Sequence, residues 1–330
     1  MSQNPSSRLR GYHPPEPIEV PPLYAWPPRP VAAIRWLATQ MLVPWGFIFL
    51  GLAIVSWLFF TPSMESMSTL SAGWIGLVWL RNAVLLGLVA GGLHWWLYMR
   101  RAQDRTRKFN AHWLATDDRK FLWRNQARDN VFWSVVSGCT IWSLYESVTL
   151  WLYASGRMPV MPVAETPVYF GVMIWAVFFW STFHFYFVHR ALHWPPLYNL
   201  AHELHHRNVN TGPWTGISMH PVEHLLYFSV FMLWWIVPVH PIIIILTGFF
   251  QGLSPAVSHS GFERLQLVGT AGVGAGDHFH HLHHKHFNFN YGNTTAPVDK
   301  LFGSWHDGTA ESMARMKERL RSLRSRRLAS

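Results

Sequence analysis

The chain has 330 residues, half of them hydrophobic and only 13% charged, with 20 Trp and 22 Phe, a surplus of apolar and aromatic side chains that a soluble domain does not need and a bilayer does. A single cysteine, Cys139, excludes an internal disulfide framework, a thiolate zinc cage and an iron–sulfur cluster, so any metal must be held by nitrogen and oxygen. The formal charge of +10 sits beside apolar spans and not in a basic domain bearing a nucleic-acid motif, which excludes nucleic acid as a partner and favours anionic lipid headgroups.

Residues 1–30 carry Pro14, Pro15, Pro17, Pro21, Pro22, Pro27, Pro28 and Pro30, so this segment is expected to be an extended cytosolic arm, with no signal-peptide pattern. Residues 31–165 then form an N-terminal membrane region. Spans over 31–60, 74–99 and 130–153, and a fourth over 168–188, are each long enough to cross roughly 30 Å of hydrocarbon as helices. The apolar stretch 225–253 is broken at Pro238 and Pro241 into two arms too short to cross, which predicts a re-entrant hairpin. The expected fold is therefore an all-α integral membrane protein of about four transmembrane helices, a re-entrant helical hairpin and a cytosolic helical cap.

Short loops rich in Lys and Arg stay cytoplasmic. The segment from Arg100 to Arg128 is strongly basic, while 61–72 has no Lys or Arg. Both termini and everything after the fourth span are thus expected on the cytoplasmic side. The tail, 310–330, carries Arg315, Lys317, Arg319, Arg321, Arg324, Arg326 and Arg327 and is expected to lie as a basic amphipathic helix on the membrane surface. Within the spans, Arg81 and Glu146 are ionisable residues at depth and are expected to pair.

Three histidine boxes dominate the second half: His189-Arg-Ala-Leu-His193, His202-Glu-Leu-His205-His206 and His280-His281-Leu-His283-His284. Residues three or four apart share a helix face, so each box aims two or three imidazoles at one point, and their number suits two metals side by side. Imidazole suits iron, zinc, copper or nickel. His281 points off the face shared by His280, His283 and His284. Isolated histidines such as His94, His112, His240 and His306 are expected to be hydrogen-bonding residues. The first box emerges at the end of the fourth span, which places the site at the membrane surface, where a lipid can present one carbon while its tail stays buried.

The ordered run of HRALH, HELHH, HPVEH (His220–His224), HSG (His259–Gly261), HHLHH, Asn290-Tyr291-Gly292 and Asp299-Lys-Leu-Phe-Gly303 resembles the fatty acid hydroxylase/sterol desaturase superfamily over roughly residues 168–305, within a catalytic region of 166–309. The resemblance implies two non-haem Fe ions, O2 as co-substrate, and hydroxylation, desaturation or methyl oxidation of a lipid. No separate catalytic acid or base is assigned beside the two metals. The implied ligands are His189, His193, His202, His205, His206, His259, His280, His283 and His284. His220, His224, Glu263 and His278 are further candidates as ligands or as supports for ligands. Another metal such as zinc can occupy such sites in isolated protein.

The chain carries no haem, flavin or iron–sulfur segment, so electrons are expected from a carrier such as a ferredoxin or a cytochrome b5-like protein with its reductase, docked on the basic loop or tail. A bacterial inner membrane is favoured over the endoplasmic reticulum. The substrate is sterol-like or fatty-acyl, with the HSG and NYG pattern leaning to the sterol type. The alternative from another class is a histidine-rich membrane metal transporter, which would place its ligands at mid-membrane and not at one face.

Overall fold

The computed structural model describes residues 11–268 and 271–329, and it is an all-α integral membrane protein with one small β-hairpin. Four helical segments build its apolar layer. Helices α1 (Pro30–Met41) and α2 (Trp45–Phe59) meet at a 56° bend, so the first predicted span is two helices and not one. The cause is Pro44, which lacks the N–H that a continuous helix needs. Helices α3 (Ala72–Met99) and α5 (Pro167–Leu192) are 28 and 26 residues long and apolar enough to cross a membrane. Leu77, Leu80, Val84 and Leu88 of α3 stand exposed, as lipid-facing residues do.

The predicted third span is helical over 126–154 (α4) but turns its polar residues inward. Ser134, Ser143, Glu146, Ser147 and Thr149 are all buried. Glu146 pairs with Arg81 of α3 as expected. Asn82 extends the pair, donating from Nδ2 to Glu146 Oε2 at 2.9 Å and to Ser143 Oγ at 3.1 Å, and Arg81 also donates to Thr61 Oγ1 at 3.1 Å. In a layer without water this cluster supplies its own hydrogen-bond partners, the condition for holding ions at such depth.

The predicted hairpin is present, with an uneven second arm. Helix α7 (Pro221–Phe228) runs through a 3-10 stretch, Ser229–Trp235, and the chain then turns at Pro238 into α8 (Pro241–Ser258). At 18 residues α8 is longer than the sequence suggested and qualifies by length and composition as a span, yet its apolar window is 83% buried inside the protein. Ile243, Ile244, Ile245, Leu246 and Phe249 are completely covered. A helix apolar on all sides belongs in a core, and α8 packs against α2, α4 and α5. Both arms start with the same device: His220 and His240 each accept the N–H two residues on through Nδ1, ahead of a proline at the first helical position.

The cap consists of the basic loop, residues 198–219 and the segment after α8. It includes the antiparallel pair β1 (Arg264–Val268) and β2 (Ala271–Gly274), helix α9 (His278–His286) and helix α10 (Ala310–Ala329). The β-hairpin was not foreseen, because its glycine-rich second strand lacks apolar alternation. The N-terminal arm is no free lead-in. Tyr12 N–H donates to Lys108 O and Ile18 N–H to Asp307 O, both at 2.7 Å, which straps the arm over the cap. Its first ten residues lie outside the described ones. The tail is helical as expected, but its apolar Met313 and Met316 pack with Ile18, Leu282 and Phe289. This contact uses the apolar face against α9 and not against lipid, correcting the surface-helix expectation for the described side chains; those of Arg324, Arg326 and Arg327 lie outside them.

Candidate metal centre

Nine histidines converge in the cap and divide into two groups. His189, His193, His202, His206 and His283 form one, and His205, His259, His280 and His284 the other, with the ligand-capable atoms of each group within 4.8 Å of one another. His189 and His193 come from the end of α5, and His202, His205 and His206 from the helical turns over 198–206 (α6). His259 follows α8, and α9 carries the rest. The groups are adjacent, since the His205 and His206 rings are 5.7 Å apart and those of His206 and His284 5.1 Å apart.

Outer contacts turn the rings inward. Nδ1 of His189 lies 2.6 Å from Tyr291 O and Nδ1 of His283 2.6 Å from Phe289 O, and a carbonyl partner fixes the proton on that nitrogen. His202 Nδ1 meets Glu223 Oε1 at 2.7 Å. In the second group, His259 Nδ1 lies 3.0 Å from Pro255 O and His205 Nδ1 3.4 Å from Ser218 O. Each such contact leaves Nε2 bare and selects the tautomer a metal needs.

Bare nitrogens then face one another. His193 Nε2 lies 3.1 Å from His206 Nε2 and His283 Nε2 and 3.2 Å from His202 Nε2, and His259 Nε2 is 3.2 Å from His284 Nε2. Lone pairs that close without a shared proton repel each other unless a cation sits among them. Imidazoles bound to one ion at about 2.0–2.1 Å, with bond angles near 90–110°, stand about 2.9–3.4 Å apart. The residues therefore fit metal in both groups.

Burial keeps these histidines deprotonated, bringing His205 down to about 4 and His259 to about 3. It also pushes the Glu223 carboxyl upward. A dication held by the neighbouring histidines would favour the ionised carboxylate, which would strengthen the His202 ring as a donor.

The other sequence candidates lie outside both groups. His220 caps α7, and His224 is bolted to Ser137 Oγ at 2.9 Å and Ile217 O at 3.0 Å. Glu263 pairs with Arg107 at 2.6 Å, because the chain turns after Gly261 (φ +81°) and carries Glu263 away from the face of His259. His278 and His281 stand against the Phe109 ring. Glu223 was within a recognised motif but had no assigned role; a lone acidic residue on a short buried helix face was the available signal. The Asn290–Gly292 turn could not be read from spacing. Asp299 accepts the N–H groups of Tyr291 and Gly292 at 2.9 and 2.7 Å, and so holds the carbonyl that orients His189.

A cavity of about 380 Å³ opens beside the second group. His205, His259 and His280 line it together with Trp45 and Phe49 of α2, Phe178 of α5 and Phe250 of α8, so it joins the metal groups to the apolar layer.

Residues 174–304 match the family model described as fatty acid hydroxylase. Over that region the chain is similar to the fatty acid hydroxylase/sterol desaturase superfamily. It is 29% identical over 142 residues to a Delta(7)-sterol 5(6)-desaturase of Eremothecium gossypii, covering 42% of this chain and 39% of that protein. The Saccharomyces cerevisiae enzyme of the same name is 30% identical over 121 residues, 36% of this chain and 32% of its own. Methylsterol monooxygenase 1 of Gallus gallus is 28% identical over 138 residues, 41% of this chain and 47% of its own. The chain thus spans less than half the length of these relatives, and no solved structure matches it.

Proposed function

We propose that this protein is a membrane-bound di-iron oxygenase that uses O2 and external electrons to hydroxylate, desaturate or methyl-oxidise a lipid. The observation that carries the reading is the division of nine buried histidines into two adjacent groups at the end of a cavity reaching into the apolar layer. All nine would serve as ligands, five to one ion and four to the other. Two iron ions there supply the power to activate O2 against an unactivated C–H bond.

The chain's own residues do the rest. Tyr291, Phe289 and Pro255 carbonyls and Glu223 hold the rings in place, and the aromatic wall of Phe49, Phe178 and Phe250 excludes water and holds the lipid body. Relatives whose names specify sterols support a sterol-like substrate. Arg101 and Arg105 of the exposed basic loop and Arg315 and Lys317 of the tail suit an acidic carrier such as a ferredoxin or a cytochrome b5-like protein. The positive loops support a cytoplasmic site, and the eukaryotic origin of these relatives weighs toward the endoplasmic reticulum over the bacterial inner membrane.

The test pairs elemental analysis of washed protein with mass spectrometry of lipids from cells with and without the gene. About two iron ions per chain and O2-dependent products that gain one oxygen or lose two hydrogens are expected. Metal uptake into vesicles without lipid turnover would establish transport instead.

A further inference from the structure

The lining of the cavity beside His205, His259 and His280 contains one carboxylate, Asp277, and no Lys, Arg or Glu. Asp277 is the N-cap of α9, the helix that carries three of the proposed ligands. Its Oδ1 accepts the N–H groups of Phe279 at 2.9 Å and His280 at 3.3 Å. Its backbone N–H donates to Ser258 O at 3.0 Å, which fixes it next to His259. Among the described residues no hydrogen bond uses Oδ2.

One oxygen of this carboxylate is therefore committed to the helix, while the other is available in a largely apolar cavity at the metal end. An anionic lipid group placed beside Oδ2 would meet a like charge, with no Lys or Arg in the lining to offset it. A hydroxyl would meet the acceptor it lacks, in a charge-assisted bond.

Resting on the oxygenase reading, we propose that Asp277 is the specificity-determining residue of the cavity. Its Oδ2 accepts a hydrogen bond from a hydroxyl of an uncharged, sterol-like alcohol, and so sets which carbon, close to that hydroxyl, faces the metal groups. The apolar body then runs along Phe49, Phe178 and Phe250. The α5 part of the lining runs from Phe178 to Phe185, or about 10 Å of helix, the length of a fused-ring skeleton.

An acceptor-only carboxylate separates an alcohol from its ketone, and an amide does not. Equilibrium binding of a tritiated Delta(7)-sterol and of its 3-ketone is measured on the full chain in phospholipid nanodiscs, with metal content measured in parallel. The wild-type protein is expected to bind the alcohol about ten-fold or more tightly than the ketone. In Asp277→Asn, which retains the capping oxygen and gains a donor, that preference is expected to collapse or reverse at unchanged metal content.

Equal binding of alcohol and ketone by the wild type overturns the inference, and does so even if the variant loses metal. An unchanged preference in Asp277→Asn overturns it as well. A wild type that binds neither sterol also overturns it, whereas the oxygenase reading falls only if the lipid comparison finds no oxidised product.

Discussion

At the residue scale, the orientation of each imidazole separates a metal centre from a crowd of histidines, and Glu223 is the clearest instance. Its Oε1 holds Nδ1 of His202 at 2.7 Å, and both residues are almost fully buried. Removing such a support typically weakens metal affinity about 10–100-fold. Glu223→Ala should therefore lower metal affinity by that factor while the chain still folds, and Glu223→Gln, which retains an acceptor, should lose less; a competition titration against a chelator measures both.

His205 lies in the four-histidine group and His283 in the five-histidine group. His205→Ala is expected to take bound iron from about two ions per chain to about one and to abolish turnover, as is His283→Ala. Full activity or full metal content in either variant contradicts the proposed ligand set. The spacing of the boxes made eight of the nine histidines visible in the sequence, since positions three and four apart on a helix share a face, while His259 was implied only by the family resemblance. Their division into groups was not legible. His205 and His206 are neighbours in the chain but point to different groups, which depends on how α5, α6 and α9 meet.

At the element scale, helix boundaries tracked proline closely, and burial less so. Pro238 and Pro241 marked the hairpin, whereas Pro44 interrupts α1 and α2 inside what hydropathy alone reads as one span. Helix α8 was the harder case, because a run such as Ile242–Leu246 reads the same whether it faces lipid or protein. What places it inside is its neighbours: a Cβ added at Gly252 would lie 2.7 Å from the Trp142 ring, so the absence of a side chain lets α4 approach.

The α3–α4 contact depends instead on the Arg81–Glu146 cluster. Truncating either residue leaves a buried charge without its partner, so Arg81→Ala and Glu146→Ala should each cost about 3–5 kcal/mol. The double replacement Arg81→Ala with Glu146→Ala should cost clearly less than the sum of the two single truncations. Unfolding in mixed micelles measures the cycle, and additive losses would show that the pair is not coupled.

At the scale of the whole molecule, the cap is an arrangement of separate segments around nine neutral imidazoles, so its stability should depend on metal and on pH together. Burial lowers His205 from 6.5 to about 4 and His259 from 6.5 to about 3. In metal-free protein the unfolded chain takes up protons near pH 6.5 that the folded chain refuses until pH 3–4. Stability contributed by these rings is thus complete above 6.5 and declines as pH falls through that window. A bound dication holds the rings deprotonated and adds its own linkage, about 4 kcal/mol when free metal stands a thousand-fold above its dissociation constant. Chelation should therefore lower the melting temperature at pH 7.5. The melting temperature of the chelated protein should be lower still at pH 5.5, because the unfolded chain then takes up protons that the folded chain refuses. The metal-loaded protein should fall in parallel between the two pH values, because its folded rings carry no proton either, and should stay above the chelated protein by the metal linkage. Parallel melts of loaded and chelated protein in the same detergent measure both, and a chelated protein whose melting temperature does not fall between pH 7.5 and 5.5 would mean that these imidazoles are not buried in their neutral form.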